Sequence, residues 1–426
     1  MTETGEKIYN LAAELFPIPR SLTGEGVRET LNILRRELPG LQIKSVPSGT
    51  KCFDWTVPKE WNIRDAYIKA PDGSILCDFK KHNLHVVGYS VPVDAEISLE
   101  ELQEHLYSMP ELPEAIPYIT SYYKERWGFC IKDSERKKLK PGMYHVKIDS
   151  SLTDGVLNYG ELLIKGKSDR EILVSTYICH PSMANNEVSG PAVSVYTAKS
   201  VLENADRNYS YRFVFIPETL GSIVYLSMHY KEMKEKTAAG FILTCIGDDR
   251  VYSMLASRDG DTMADAAARH VLKNIDRNYK EYSFLERGSD ERQYCSPGID
   301  LPVVNIMRSK YNEYPEYHSS LDDMSVISPQ GLSGGLNAVL KCIEAVEKDC
   351  RPRITVLCEP QLGKRGLYPT LCSKDSGLRV RNMMNFIAYS DGKRSLIEIA
   401  EKIGTPVWEL YGYIDSLTDA GLMELD

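Results

Sequence analysis

The chain has 426 residues, of which 42% are hydrophobic and 26% charged, with a formal net charge of -9. That length admits two or three domains and a core that needs no cross-links, while the negative balance argues against non-specific attraction to nucleic acid or anionic membrane. There is no stretch of about 20 apolar residues, and the opening MTETGEKIYNLAAELFPIPR lacks the basic-then-apolar order of an export signal. The ten cysteines are scattered without a CxxC pair, so reduced thiols and a cytoplasmic location are expected.

In chain order, residues 3–38 read as helical: Leu11, Leu15 and Phe16 recur at helical spacing, and Val27, Leu31, Ile33 and Leu34 continue an apolar face after candidate N-caps Ser21 and Thr23. Residues 48–147 change to short aromatic and β-branched runs, with a turn at Pro71-Asp72-Gly73 and a helix capped by Ser98, the pattern of a small α+β module. Strand–helix alternation follows. GELLIKG, EILVSTYIC, YRFVFIP, GFILTCIG and LPVVNIM read as strands, and VSGPAVSVYTAKSVLEN, SIVYLSMHYKEMKEK, TMADAAARHVLKNI and SGGLNAVLKCIEAVEKD as helices. This predicts an α/β domain built from 1–47 and 148–349, with 48–147 inserted into it. From Cys350 to Asp426 the expectation is a winged helix: ITVLCEP paired with GLYPTL, then two helices at a short turn and a final strand.

Four segments carry candidate chemistry. His180 in ICHPSMANNEVSG ends an apolar run and is followed by Asn185, Asn186 and Glu187; strand exits are where α/β sheets bind ligands, and imidazole and carboxylate are standard zinc ligands. Glu218 in FVFIPETLGS also follows a strand, placed to bind a metal or act as a general base. His318 in EYPEYHSSLDD has Asp322 and Asp323 nearby as acceptors that could orient an imidazole, and Tyr317 as a donor to an oxyanion. In RGSDERQYCSPG, Asp290, Glu291 and Arg292 are candidates for recognising a substrate amine or carboxylate. There is no GxSxG elbow and no GxxxxGK[ST] loop. A Cys179–His180 nucleophilic pair is not expected, because neighbours on a strand face opposite sides.

CHPSMANNEVSG, PETLGS, TCIGDD, GSDERQY and YPEYHSSLDD, with PRSLTGEGVRETL and GTKCFDWTVPKEWNI, closely resemble a bacterial group of aminopeptidase-like proteins linked to polysaccharide or other secondary biosynthesis. That group is related to the zinc aminopeptidases of the leucyl-aminopeptidase and glutaminyl-cyclase fold. The resemblance implies a mostly parallel sheet flanked by helices, an inserted small domain, a C-terminal winged helix and a zinc site on strand-end loops. His180 matches the first His ligand, His318 the last, and Glu218 the acidic motif that supplies a base and a ligand. That motif has two adjacent Glu in the wider family, whereas Pro217 precedes a single Glu218 here. Asn186 stands where the family has an Asp bridging two zincs, with Glu187 next to it. Thr244 stands where it has an Asp ligand, with Asp248 four residues on.

A single zinc on His180, Glu187 and His318, with Glu218 as base or fourth ligand, is therefore expected. The expected reaction is hydrolysis of a peptide or small amide, with Glu291 or Glu316 available to a free α-amine. The rival reading is a binding or scaffold protein that keeps the fold. A DNA reader is disfavoured because Asp391–Asp426 carries three basic residues, Lys393, Arg394 and Lys402, against eight acidic ones. No membrane partner is expected, and a homo-oligomer is left open.

Overall fold

The computed structural model describes residues 2–367 and 374–425. Its main sheet has eight strands in the order Gln42–Pro47, Val156–Ile164, Ser210–Ile216, Glu171–Tyr177, Thr237–Leu243, Val303–Met307, Ser253–Leu255, Lys280–Tyr282. The four central strands, from Ser210–Ile216 to Val303–Met307, run parallel. Antiparallel pairings extend the sheet on both sides. Every residue of Glu171–Tyr177, Ser210–Ile216 and Thr237–Leu243 is buried. This is why those segments read as continuous apolar runs rather than alternating ones: helices cover both faces.

On one face lie Thr2–Leu15, Ser189–Glu203, Met263–Ile275 and Pro329–Glu347, packed into the largest core cluster; Leu220–Lys236 covers the other. The helix Glu25–Glu37 starts at Gly24 with no side-chain cap. Thr23, read from sequence as an N-cap, instead accepts from the Trp61 backbone N–H at 3.1 Å and pairs with the Tyr89 hydroxyl at 2.7 Å. Tertiary partners outcompete the local cap here.

A second, four-stranded sheet has the order Ile75–Leu76, Glu60–Lys69, Met143–Thr153, Val93–Ser98, and the Asp72–Gly73 turn closes its first hairpin. Ser98 caps Leu99–Glu104 by accepting from the Glu101 N–H at 3.2 Å. The segment 115–120 leaves this region to run beside the His318 loop. Pro117 bridges Ser319, and the Tyr118 N–H donates to the His318 carbonyl at 2.9 Å.

The C-terminal region is a winged helix-turn-helix with helices Lys374–Tyr389, Leu396–Ile403 and Tyr411–Asp419. Its ladder pairs Pro352–Ile354 with Met423–Leu425; of ITVLCEP, expected to pair with GLYPTL, only Ile354 lies in a strand, and residues 355–359 form bends. Of GLYPTL, residues 368–371 lie outside the described residues.

His270, buried in Met263–Ile275, joins this region to the main body. Its Nδ1–H donates to Glu401, and its Nε2 accepts from the Val407 N–H at 2.9 Å. Accepting the Val407 N–H requires the neutral imidazole, whereas donation to Glu401 survives protonation, so the pH-sensitive contact is the one to Val407. Burial pushes its pKa below the ordinary 6.5, against the pull of Glu401. The folded protein thus binds fewer protons here than the unfolded chain does. The contact is at full strength above pH 6.5 and weakens as pH falls toward the depressed folded value. Amide exchange across Leu396–Ile403 is expected to accelerate between about pH 7.5 and about pH 5, after correction for intrinsic exchange. Unchanged protection across that window would remove the assignment.

Candidate metal centre

The exits of the parallel strands converge on one buried site. After Tyr177 the chain turns through Ile178, Cys179 and His180 to a widened π-helical turn at Ala184–Val188, which feeds Ser189–Glu203. The approach is close: a Cβ at Gly190 would lie 2.4 Å from the Leu243 carbonyl oxygen, so only glycine lets this helix start against the neighbouring strand end. Four non-glycine residues with positive φ, Ser182 (42°), Thr219 (62°), Cys245 (48°) and His318 (53°), lie in the loops that build the site. Backbone held in that region costs energy and persists where the surroundings enforce it, as at functional sites.

His180 is buried between two carboxylates. Its Nδ1 lies 2.9 Å from Glu187 Oε2, and its Nε2 lies 3.6 Å from Glu218 Oε2. Arg20, from the PRSLTGEGVRETL segment, donates through Nε to the His180 carbonyl at 2.9 Å and stands 3.7 Å from Glu187 Oε1. The His318 ring centroid is 5.4 Å from that of His180, and Tyr118 fits against both at 5.0 and 5.2 Å. Tyr317 stacks on His318 at 3.9 Å.

Burial opposes protonation of His180, but Tyr118, Cys179 and Glu187 outweigh it and push its pKa well above 6.5. Burial, reinforced by the nearby His180, drives His318 down to about 3, leaving its imidazole neutral. His318 Nε2 is buried without a hydrogen-bond partner. A buried lone pair or N–H with nothing to bond is costly unless a ligand meets it.

Glu218 takes a hydrogen bond on Oε1 from Ser289 Oγ at 2.7 Å, and its backbone N–H points at Cys179 Sγ at 3.2 Å. Asp290 accepts the Thr219 N–H at 2.7 Å and the Ser222 hydroxyl at 2.8 Å through one oxygen; the other is buried and unpartnered. Burial and the Glu218 charge raise the Asp290 pKa to about 7. Arg292 reaches Thr219 Oγ1 at 2.6 Å. Glu291 is fully buried and turned inward, accepting from the N–H groups of Gly288 and Ser289, from the Tyr311 hydroxyl and from Asn305. Glu316 is taken by a bidentate pair with Arg250 at 2.8 and 3.0 Å.

Two expectations need correction. Cys179 and His180 do meet, Sγ to Nδ1 at 3.4 Å, because the strand ends at Tyr177 and its alternation no longer applies. Burial nonetheless raises the Cys179 thiol to about 11, away from nucleophilic service. Asp322 and Asp323 do not orient His318. Asp322 accepts the N–H groups of Asn185 and Asn186 at 2.7 and 2.9 Å and the Tyr314 hydroxyl at 2.9 Å, clamping the His180 turn, and Asp323 binds Ser325.

The two positions at which the resemblance implied carboxylate ligands hold neutral side chains engaged elsewhere. Asn186 donates to the Tyr177 hydroxyl at 2.8 Å, and Thr244 pairs with that same hydroxyl. Asp248 is saturated by Asn185, Arg250 and Ser309. Among the described residues, Cys179, His180 and Glu187 have donor atoms within 4.8 Å of one another, a spacing compatible with a metal ion, but Arg20 beside Glu187 and the raised Cys179 thiol oppose a cation among these three. Sequence reasoning missed Arg20, Tyr118, Tyr177 and Ser289. The aromatic run IPYITSYY (116–123) was the available signal for Tyr118.

This sheet is the fold of the zinc aminopeptidases. A zinc aminopeptidase from Bacillus subtilis superposes with a TM-score of 0.58 at 15% identity, covering 81% of this chain and 95% of that one. A peptidase M28 precursor from Shewanella amazonensis does so at 0.58 and 12%, covering 84% and 95%. A Clostridium acetobutylicum protein named for polysaccharide biosynthesis and an aminopeptidase-like domain is 44% identical over 426 residues, covering 100% of this chain and 97% of the relative. A crystal structure of a candidate peptidase from the same organism gives a TM-score of 0.94 at 42% identity, covering 100% and 97%. Residues 9–349 match the family described as a domain of unknown function, DUF4910, and residues 350–425 a winged helix-turn-helix. The chain belongs to the DUF4910 family, and is an aminopeptidase-like protein with a C-terminal winged helix-turn-helix.

Proposed function

We propose that the chain is a zinc-dependent hydrolase of peptide or small amide bonds, with one metal ion, an aminopeptidase-like preference for substrates bearing a free amine, and Glu218 as general base. The observation that carries this reading is His180 Nε2 at 3.6 Å from Glu218 Oε2, with the neutral His318 ring, its Nε2 unpartnered, 5.4 Å from that of His180 between centroids. His180 and His318 would hold the ion. Glu187 is assigned behind His180 rather than on the metal, because it bonds Nδ1 and has Arg20 beside its other oxygen; a guanidinium disfavours a second cation there. A carboxylate behind a ligating imidazole fixes its tautomer and raises its basicity. Asn186 and Thr244, both hydrogen-bonded and neutral, support one ion over two.

When bound, zinc supplies Lewis acidity toward the scissile carbonyl and lowers the pKa of water. The protein's own contribution is positional. Glu218 Oε2 takes the proton of the attacking water and returns it to the leaving nitrogen, while Ser289 holds the other oxygen. Tyr317 is assigned as a donor to the developing oxyanion, and Asp290 and Arg292 line the substrate side. In this reading residues 48–147 form an inserted module whose Tyr118 walls the imidazoles from solvent, and the protein works in the cytoplasm.

Metal analysis by mass spectrometry is expected to find about one zinc per chain, with turnover of a panel of aminoacyl amides that chelation abolishes. Full activity in metal-free protein would end this reading. The Glu187 assignment has its own test. Glu187→Gln should weaken zinc binding by roughly 10- to 100-fold without unfolding the chain. Competition against a chelator reads this directly, and unchanged affinity would rule out the orienting role.

The scaffold alternative draws on the same Asn186 and Thr244 and expects no turnover on any amide even with zinc bound. The acidic balance of Asp391–Asp426 supports a protein-contact role for the winged helix over duplex binding. A salt-dependent gel shift with random duplex would reverse that assignment.

A further inference from the structure

Beyond the metal centre, a separate cleft of about 440 Å³ opens behind the loop that carries His318, lined among others by Arg250, Lys280, Tyr282, Lys310, Glu313 and Tyr314. None of His180, Glu187, Glu218 or His318 lines it. Lys310 is only 5% exposed. Its ammonium donates to the Tyr311 carbonyl at 3.3 Å and lies over the rings of Tyr311 and Tyr282 at 4.6 and 5.1 Å. Among the described residues no carboxylate comes within 4.0 Å of it, and Lys280 likewise has no ion pair.

An ammonium has three donors, and burying it beside one long hydrogen bond and two ring faces leaves most of its lost hydration uncompensated. Arg250 is neutralised by Glu316, so Lys280 and Lys310 face the single lining carboxylate, Glu313, and the cleft keeps a positive excess. Val251, Tyr282, Tyr314 and Pro315 add apolar wall, and the volume falls in the range that takes small molecules.

We propose that this cleft binds a small molecule through an oxyanion group, a phosphate or a carboxylate, seated on Lys310 and Lys280 with its flat or apolar body against Tyr282 and Tyr314. The site borders the metal centre's scaffold. Tyr314 packs edge-on to Tyr317, which stacks on His318, and its hydroxyl bonds Asp322.

Isothermal titration of the full chain with inorganic phosphate, and with phenyl phosphate as a probe that adds a ring, tests this. One saturable site is expected, tighter for phenyl phosphate than for phosphate. Carboxylate probes of matching shape, such as benzoate, separate the two anion sources. Lys310→Met should weaken binding by roughly tenfold or more, and Lys280→Ala, an exposed change, by a smaller factor. Lys310→Met should also raise the thermal midpoint of the ligand-free protein, because it replaces an unpaired buried charge by an apolar chain of similar length. Binding should persist after chelation and in His318→Ala, which separates this site from the metal centre. No saturable heat up to roughly 10 mM probe, binding that is undiminished in Lys310→Met, or binding that disappears on chelation overturns the proposal.

Discussion

Glu218→Gln is expected to lower kcat/KM on aminoacyl amides by roughly 1000-fold, about 4 kcal/mol of transition-state stabilisation, while zinc content stays near that of the wild type. The amide keeps the shape of the carboxylate and can still accept from Ser289, which sits 2.7 Å from Oε1. What it loses is the ability to take a proton. Oε2 lies 3.6 Å from His180 Nε2, too far for a good hydrogen bond, so the imidazole does not tie up the oxygen that takes the proton. Parallel assays of zinc and turnover separate the outcomes. Loss of rate with zinc retained identifies the base. Loss of both makes Glu218 a ligand. Loss of neither sends the chemistry elsewhere.

Arg212→Ala is expected to destabilise the protein by about 3–5 kcal/mol. Arg212 lies in the central strand Ser210–Ile216 with its side chain 2% exposed. It holds Glu171 through two bonds at 2.6 and 3.0 Å, Glu161 at 3.0 Å and the Tyr225 hydroxyl at 2.8 Å. The Tyr225 hydroxyl in turn donates to Glu161. Removing the guanidinium strands two carboxylates in the sheet interior, and a buried charge left without its partner costs far more than the pair contributed. Urea denaturation followed by circular dichroism measures the change, and a shift below about 1 kcal/mol would show that Glu161 and Glu171 find water or protonate cheaply. Arg212→Met with both glutamates changed to apolar residues should recover most of the loss.

The sheet was legible because its central strands are buried on both faces. EILVSTY and YRFVFI cannot be anything but interior strands when helical segments flank them. The edge strands Gln42–Pro47 and Lys280–Tyr282, and the three-residue strand Ser253–Leu255 beside the latter, are not legible in the sequence, since they are short or partly exposed and their pairing is supplied by neighbours remote in sequence. The C-terminal ladder shows the same limit: Pro352–Ile354 pairs with Met423–Leu425, a partner that no local pattern names.

For the site, the fold sets His180 Nε2 3.6 Å from Glu218 Oε2 and the His318 ring 5.4 Å from that of His180, and sequence supplied all three as reactive side chains in strand-exit loops. It did not supply their division of labour. The contact between Glu187 and His180 Nδ1 depends on a widened turn at Ala184–Val188, and Arg20 arrives from the N-terminal segment. Asp322, read as a partner for His318, instead clamps the turn after His180, because backbone N–H groups at Asn185 and Asn186 point at it.

The sequence by itself determined the α/β class, the strand exits and the identity of the imidazoles and carboxylate placed there, because burial on two faces and local turn chemistry are written in residue order. Only the tertiary structure decided which carboxylate faces which imidazole nitrogen, that Tyr118 closes the site, and that Lys310 is buried without an anion. Those outcomes depend on distances between residues far apart in the chain, and on the desolvation that packing imposes, which no local pattern encodes.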